Sequence, residues 1–177
     1  GWGRIDAYRA AAVALHAGSV TGEVTRQSDQ KPLLTARVAA YDREGQPQAM
    51  VQVDDGGHSR LALPPGRYDL KAAAFGYESQ TVADHLVQST LTTTLHFQLS
   101  PSPAGVLWGQ ISHAETGGPV GAQITIGGTP AQATSDPQTG QYSISLPAGV
   151  YDAQVSQNGY RNHAASGIAI VADGATR

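Results

Sequence analysis

Apolar and polar residues alternate along most of this chain, and one stretch of the alternation occurs twice. Residues 59–77 read Ser-Arg-Leu-Ala-Leu-Pro-Pro-Gly-Arg-Tyr-Asp-Leu-Lys-Ala-Ala-Ala-Phe-Gly-Tyr, and residues 142–160 read Tyr-Ser-Ile-Ser-Leu-Pro-Ala-Gly-Val-Tyr-Asp-Ala-Gln-Val-Ser-Gln-Asn-Gly-Tyr. Leu63, Pro64, Gly66, Tyr68, Asp69, Gly76 and Tyr77 match Leu146, Pro147, Gly149, Tyr151, Asp152, Gly159 and Tyr160 at one constant offset. That is the signature of a duplicated structural unit. In the first copy Leu61 and Leu63 share a face with Tyr68, Leu70, Ala72 and Ala74, while Arg67, Asp69 and Lys71 point toward solvent. Period two on both sides of Pro65-Gly66 predicts a half-buried antiparallel hairpin closed by a type II turn, whose glycine takes a positive φ. Tyr68 and Tyr151 fall on the core face.

The same alternation predicts further strands. Val20 and Val24 flank Gly22 on one face of a first strand, Ala36–Tyr41 and Ala49–Val53 form two more, and Thr90–Leu99 closes the first copy. Ser100-Pro101-Ser102-Pro103-Ala104-Gly105 is a short, stiff linker. Beyond it Leu107-Trp108-Gly109-Gln110-Ile111 lines up with Val20-Thr21-Gly22-Glu23-Val24. The fold class expected is all-β: two tandem sandwiches, over residues 18–100 and 101–177, preceded by one short α-helix within residues 1–17. Residues 7–14 are alanine-rich, and Asp6 suits the start of that helix. The second copy stops where the counterpart of Leu95-Phe97-Leu99 should begin. Its last strand is therefore expected to be missing, leaving a groove that is empty, filled by a neighbouring molecule or filled by residues beyond Arg177.

Composition narrows the function. The chain has 177 residues, 21 glycines and 10 prolines, in keeping with many short strands and turns. Its net charge is −3, with Lys31 and Lys71 the only lysines, so there is no basic stripe for nucleic acid. It has no cysteine, hence no disulfide or thiolate site, and no apolar run of membrane-spanning length. Gly1 is not a natural start, so the sequence reads as a fragment of a longer protein.

Candidate chemistry is sparse. His16, His58, His85, His96, His113 and His163 show none of the spacings that hold a metal. No nucleophile-elbow motif is visible, and no catalytic residue is assigned. Asp54-Asp55-Gly56-Gly57 could bind calcium but lacks the alternating acidic pattern of a calcium loop, and reads first as a tight turn. Trp108 is the candidate ligand-binding residue, because its strand position faces outward and an exposed indole can stack on a sugar or polymer. The favoured reading, however, is that Trp108, right after the linker, is buried between the two copies.

Two resemblances add to this reading. Gly1-Trp2-Gly3-Arg4-Ile5-Asp6-Ala7, followed by Ala10, resembles the closing segment of subtilisin-like serine protease domains, with Ala11 departing from the larger aliphatic common there. That resemblance implies a secreted endopeptidase whose catalytic domain, triad included, lies upstream as a partner. Each later copy, with Gly-x-Val or Gly-x-Ile, an Ala-x-Val or Ala-x-Ile strand, Leu-Pro-x-Gly-x-Tyr and Gly-Tyr, resembles carboxypeptidase regulatory-like domains, sandwiches related to transthyretin (prealbumin) and Cna B-type domains, which implies a Greek-key topology for both copies. The adhesin relatives' Lys–Asn isopeptide has no support, since the second copy has no lysine and Lys31 and Lys71 stand in a turn and a later strand. Tyr160-Arg161-Asn162-His163 differs from the Tyr-Arg-Gly-Ser tail of the transthyretin-related hydrolases. The functions implied are a non-catalytic accessory role in stabilisation, spacing or substrate engagement, a carbohydrate-binding module, or an adhesin-like stalk.

Overall fold

The computed structural model describes residues 16–177. The expected N-terminal helix falls almost wholly on residues 1–15 and lies outside the described residues. The chain divides into two compact units, the first ending at Pro101 and the second spanning Ser102–Arg177.

Unit 1 contains β1 (Gly18–Arg26), β2 (Arg37–Tyr41), β3 (Pro47–Gln52), β4 (His58–Leu63), β5 (Gly66–Ala73), β6 (Gln80–Val87), β7 (Thr92–Thr94) and β8 (Phe97–Leu99). One sheet sets β4 on one side of β1 and β7 and β8 on the other; the second runs β3-β2-β5-β6. Between them lies a core built from Val20, Val24, Leu61, Leu63, Leu70, Phe97 and Leu99. This is a Greek-key β-sandwich. The expected closing strand is present but interrupted at Leu95-His96, with Val20↔Thr93 before the break and Val24↔Phe97 after it in one parallel register.

The repeated motif is not a hairpin. β4 pairs with β1, Val20 opposite Leu61, whereas β5 pairs with β2 and β6. The chain leaves one sheet at Leu63 and enters the other at Gly66. Period two reports which side each residue faces, and both strands face one core from opposite sheets, so the alternation mimics a hairpin. Pro64 and Pro65 carry no N–H and so withhold two donors from any ladder. The turn glycine also has a different role from the one expected. Gly66 is not among the positive-φ residues. Instead a Cβ there would come within 3.3 Å of the Tyr68 ring. The phenol folds back over the glycine and donates to the Pro64 carbonyl at 3.0 Å. Unit 2 repeats the arrangement, Tyr151 donating to Pro147 at 3.0 Å over Gly149.

The aspartate after each tyrosine has a matching task. Asp69 Oδ1 accepts the N–H of Asp84 at 2.8 Å, beside the register shift between β5 and β6. Asp152 Oδ1 accepts the N–H of Gly167 at 3.0 Å beside the matching shift in unit 2. Asp84 and Gly167 both have positive φ, 53° and 72°. Each carboxylate pins a β-bulge.

Unit 2 contains β9 (Ala104–Gln110), β10 (Gln123–Ile126), β11 (Gln132–Thr134), β12 (Gln141–Pro147), β13 (Gly149–Ser156), β14 (His163–Ile170) and β15 (Ala175–Thr176). Its sheets run β12-β9-β15 and β11-β10-β13-β14. Leu107, Ile124, Ile126, Leu146 and Ile170 are buried there. The closing strand, expected to be missing, is in fact begun: Ala175 and Thr176 pair in parallel with Val106 and Leu107. No counterpart of β8 occurs among the described residues.

Two substitutions grade these contributions. Tyr68→Phe, which loses only the bond to Pro64, is expected to cost unit 1 about 0.5–1.5 kcal/mol. Phe97→Ala, emptying a site that is 1 % exposed, is expected to cost about 3–5 kcal/mol. Urea unfolding of the two variants checks both the order and the size.

Candidate functional site

Unit 1 has a cleft of about 520 Å³ bordered by Thr21, Glu23, Gln52, Asp54, His58, Arg60, Thr94 and His96. Its centre is an imidazole held between two carboxylates. His58 Nε2 lies 3.2 Å from Glu23 Oε1, and His58 Nδ1 lies 3.1 Å from Asp54 Oδ1. The sheet brings them together, because the antiparallel register sets Glu23 of β1 directly opposite His58 of β4. Cross-strand neighbours of this kind meet on one face whatever their distance in sequence.

Asp54 closes the turn that leads into β4. Its Oδ1 accepts the N–H groups of Gly56 and His58, each at 2.9 Å. The backbone bond from His58, and then that from Gly56, hold the Asp54 carboxyl below its ordinary value. Gly57 takes a φ of 80° to complete the turn. In unit 2 Asp136 does the same, accepting Gln138 N–H at 2.8 Å and Thr139 N–H at 2.9 Å. Its carboxyl is lowered first by the Thr139 bond and then by that from Gln138. The expected turn is therefore seen, with Asp54 Oδ1 engaged by its own backbone. A calcium ion would have to compete with those donors for that oxygen.

The cleft offers a charged hydrogen-bonding surface more than a nucleophile. Ser59, next to His58, is buried, and its hydroxyl donates to the Gly22 carbonyl at 3.4 Å, away from the imidazole. Sequence reading missed this cluster because positions 23, 54 and 58 show no motif spacing. Only the β1–β4 register could have found it. His96 borders the same cleft, whereas His85 Nε2 meets Thr93 Oγ1 at 3.0 Å and His113 makes an edge contact with the Tyr160 ring at 5.6 Å.

Trp108 sits on the outward face of β9 with 43 % of its surface exposed. Leu107 and Gly109 take the inward positions, and strict alternation sends the indole out. Ser143 stands opposite it on β12, and the Arg177 guanidinium lies 5.2 Å from the ring centroid. The indole thus already carries a cation–π contact.

The fold and these sites place the molecule among β-sandwich proteins. Residues 19–100 match the model of the carboxypeptidase regulatory-like domain. Among solved structures, the Bacillus anthracis TIE protein is similar over 90 % of this chain, with 22 % identity and a TM-score of 0.40, and the chain spans 32 % of that protein. The shaft pilin spaA from Lactobacillus rhamnosus GG is similar over 91 % of this chain and 96 % of its own, at 11 % identity and a TM-score of 0.41. A Streptococcal ancillary pilin is similar over 92 % of this chain and 63 % of its own, at 16 % identity and a TM-score of 0.39. No curated protein sequence matches.

The two turn aspartates generate a pH prediction. Both carboxyls are lowered in the folded state, so their stabilisation is complete above the unfolded value and fades as pH falls through the folded one. Stability is therefore expected to drop below about pH 4. The double variant Asp54→Asn, Asp136→Asn keeps an oxygen acceptor for each turn but has no charge to lose, so its decline should be shallower. Melting temperature measured from pH 6 to pH 2 is the check.

Proposed function

We propose that the chain is a non-catalytic accessory segment of a secreted subtilisin-like serine endopeptidase, whose two sandwiches serve as a tension-bearing spacer. One observation carries the spacing role: in unit 1 the first strand and the last lie side by side and parallel, Val24 opposite Phe97 and Arg26 opposite Leu99. Pulling the two ends of the unit apart slides those strands along each other. Every hydrogen bond of the ladder is then loaded together, rather than opened one at a time. The link to a protease is supported by the Gly-x-Gly-x-aliphatic-Asp-Ala run at residues 1–7. A Gly-Thr-Ser-x-Ala serine motif encoded upstream supports that link, and an unrelated upstream domain removes it.

Single-molecule pulling tests the spacer. Each chain is expected to give two unfolding events. Unit 1, where β7 and β8 both clamp β1 in parallel, is expected to resist a higher force when pulled from residues 18 and 100, along that clamp, than when pulled across it. Equal forces in the two directions contradict the proposal.

A second reading rests on Trp108. An exposed indole with Ser143 opposite it and Gln110 further along the same strand face matches the apolar and hydroxyl surfaces of a sugar ring. On that reading insoluble polysaccharide retains the chain and loses it on Trp108→Ala. Equal retention of the variant rules the reading out.

A further inference from the structure

We propose that His58 and Glu23 of unit 1 form a two-ligand site for a divalent transition cation such as zinc, with Asp54 orienting the imidazole from behind. The proposal does not rest on the spacer reading.

His58 faces a carboxylate from each ring nitrogen: Nδ1 lies 3.1 Å from Asp54 Oδ1, and Nε2 lies 3.2 Å from Glu23 Oε1. An ionised carboxylate only accepts hydrogen bonds, and a neutral imidazole has one N–H to give. The neutral ring therefore satisfies one of its two neighbours. Asp54 cannot retreat from an unprotonated nitrogen, because the N–H groups of Gly56 and His58 tie its Oδ1 to the turn. Glu23 can, since His58 is its one side-chain partner among the described residues. The proton accordingly stays on Nδ1, and Nε2 turns its lone pair toward Glu23.

Two electron-pair donors then stand 3.2 Å apart. Donors bonded to a tetrahedral zinc ion at about 2.0–2.2 Å are about 3.3–3.5 Å from each other, so a cation can bridge the pair with little movement. An imidazole whose other nitrogen donates to a fixed carboxylate is also the usual setting of a metal-binding histidine. Gly56 makes room for the ring, as a Cβ there would stand 2.5 Å from His58 Nδ1. The pair is open to solvent, with the His58 side chain 58 % and that of Glu23 44 % exposed.

The donor set narrows the ion. An imidazole nitrogen suits zinc or copper, whereas calcium and magnesium take oxygen ligands. No three His, Cys, Asp or Glu side chains among the described residues converge on one metal position, so water completes the shell and the ion exchanges with solvent. Arg60 borders the same cleft, but the two carboxylates outweigh its single charge. Unit 2 supplies the contrast. The same register there sets Gln110 opposite Gln141, a pair of amides with no charge to attract a cation.

The test titrates zinc chloride into the full 177-residue chain in weakly alkaline buffer, where an ordinary imidazole is neutral. Histidine ring protons are followed by NMR and binding heat by calorimetry. The His58 signals are expected to shift saturably, ahead of those of the other histidines, and the melting temperature to rise with zinc concentration. Calcium at the same concentrations should leave them in place. The double variant Glu23→Gln, His58→Gln, which gives unit 1 the amide pair that unit 2 already carries, should bind zinc at least about tenfold more weakly. Asp54→Asn keeps an oxygen acceptor for the turn and should weaken binding by about 10–100-fold. Should the double variant fail to fold, Glu23→Gln alone decides the matter at a half-exposed position: the His58 signals should then need about tenfold more zinc. Unmoved His58 signals, an equal response to calcium, or unchanged affinity in Asp54→Asn or Glu23→Gln would each overturn the proposal, the last marking an adventitious ion only.

Discussion

A tyrosine folded back over a glycine onto a proline carbonyl is the contact on which each half of the molecule turns. Tyr68 over Gly66 to Pro64, and Tyr151 over Gly149 to Pro147, lock the corner where the chain passes from one sheet to the other. The two sheets meet face to face only if that passage keeps register, since a slip of one residue would turn Leu61 and Leu63 outward. Burial around the Tyr68 ring, aided by the charge of Asp42, raises its phenol above the ordinary value. A phenol is protonated at neutral pH in any case, so the hydroxyl is available as the donor the corner requires. Asp69 and Asp152 extend the constraint by pinning the bulge in the next strand. Most of the duplicated residues are thus accounted for by geometry.

That explains what could be read from sequence and what could not. Alternation and the repeat disclosed the all-β class, the core faces and the two copies, because side-chain direction follows directly from a period of two. Pairing partners did not follow from it. Leu61 and Leu70 face the same core whether their strands pair or oppose one another, so a corner read as a hairpin. β6 and β14 escaped notice because their outward positions dominate. In Gln80–Val87 only Val87 is fully buried, and in His163–Ile170 only Ile170. The Glu23–His58–Asp54 cluster was invisible for a related reason, being a product of register and not of spacing. The outward strand position of Trp108 followed from alternation alone.

The two units differ where the corner makes no demand. Glu23 and His58 of unit 1 correspond to Gln110 and Gln141 of unit 2, so the carboxylate–imidazole chain has no second copy. Asp54 and Asp136, which close equivalent turns, are retained in both. The exposed indole of unit 2 stands where unit 1 has Thr21. One framework therefore carries two different surfaces, a charged cleft on the first and an aromatic strand face on the second. Such divergence over a common core is what a sandwich permits, since function sits on its faces and edges and stability between them.

The corner itself is tested most directly by proton–proton contacts measured in solution. The account predicts cross-strand amide and Hα contacts linking residues 59–63 to residues 18–22, in the register that sets Leu61 beside Val20. A ladder of contacts joining residues 58–63 to residues 66–73 would restore the hairpin and contradict it.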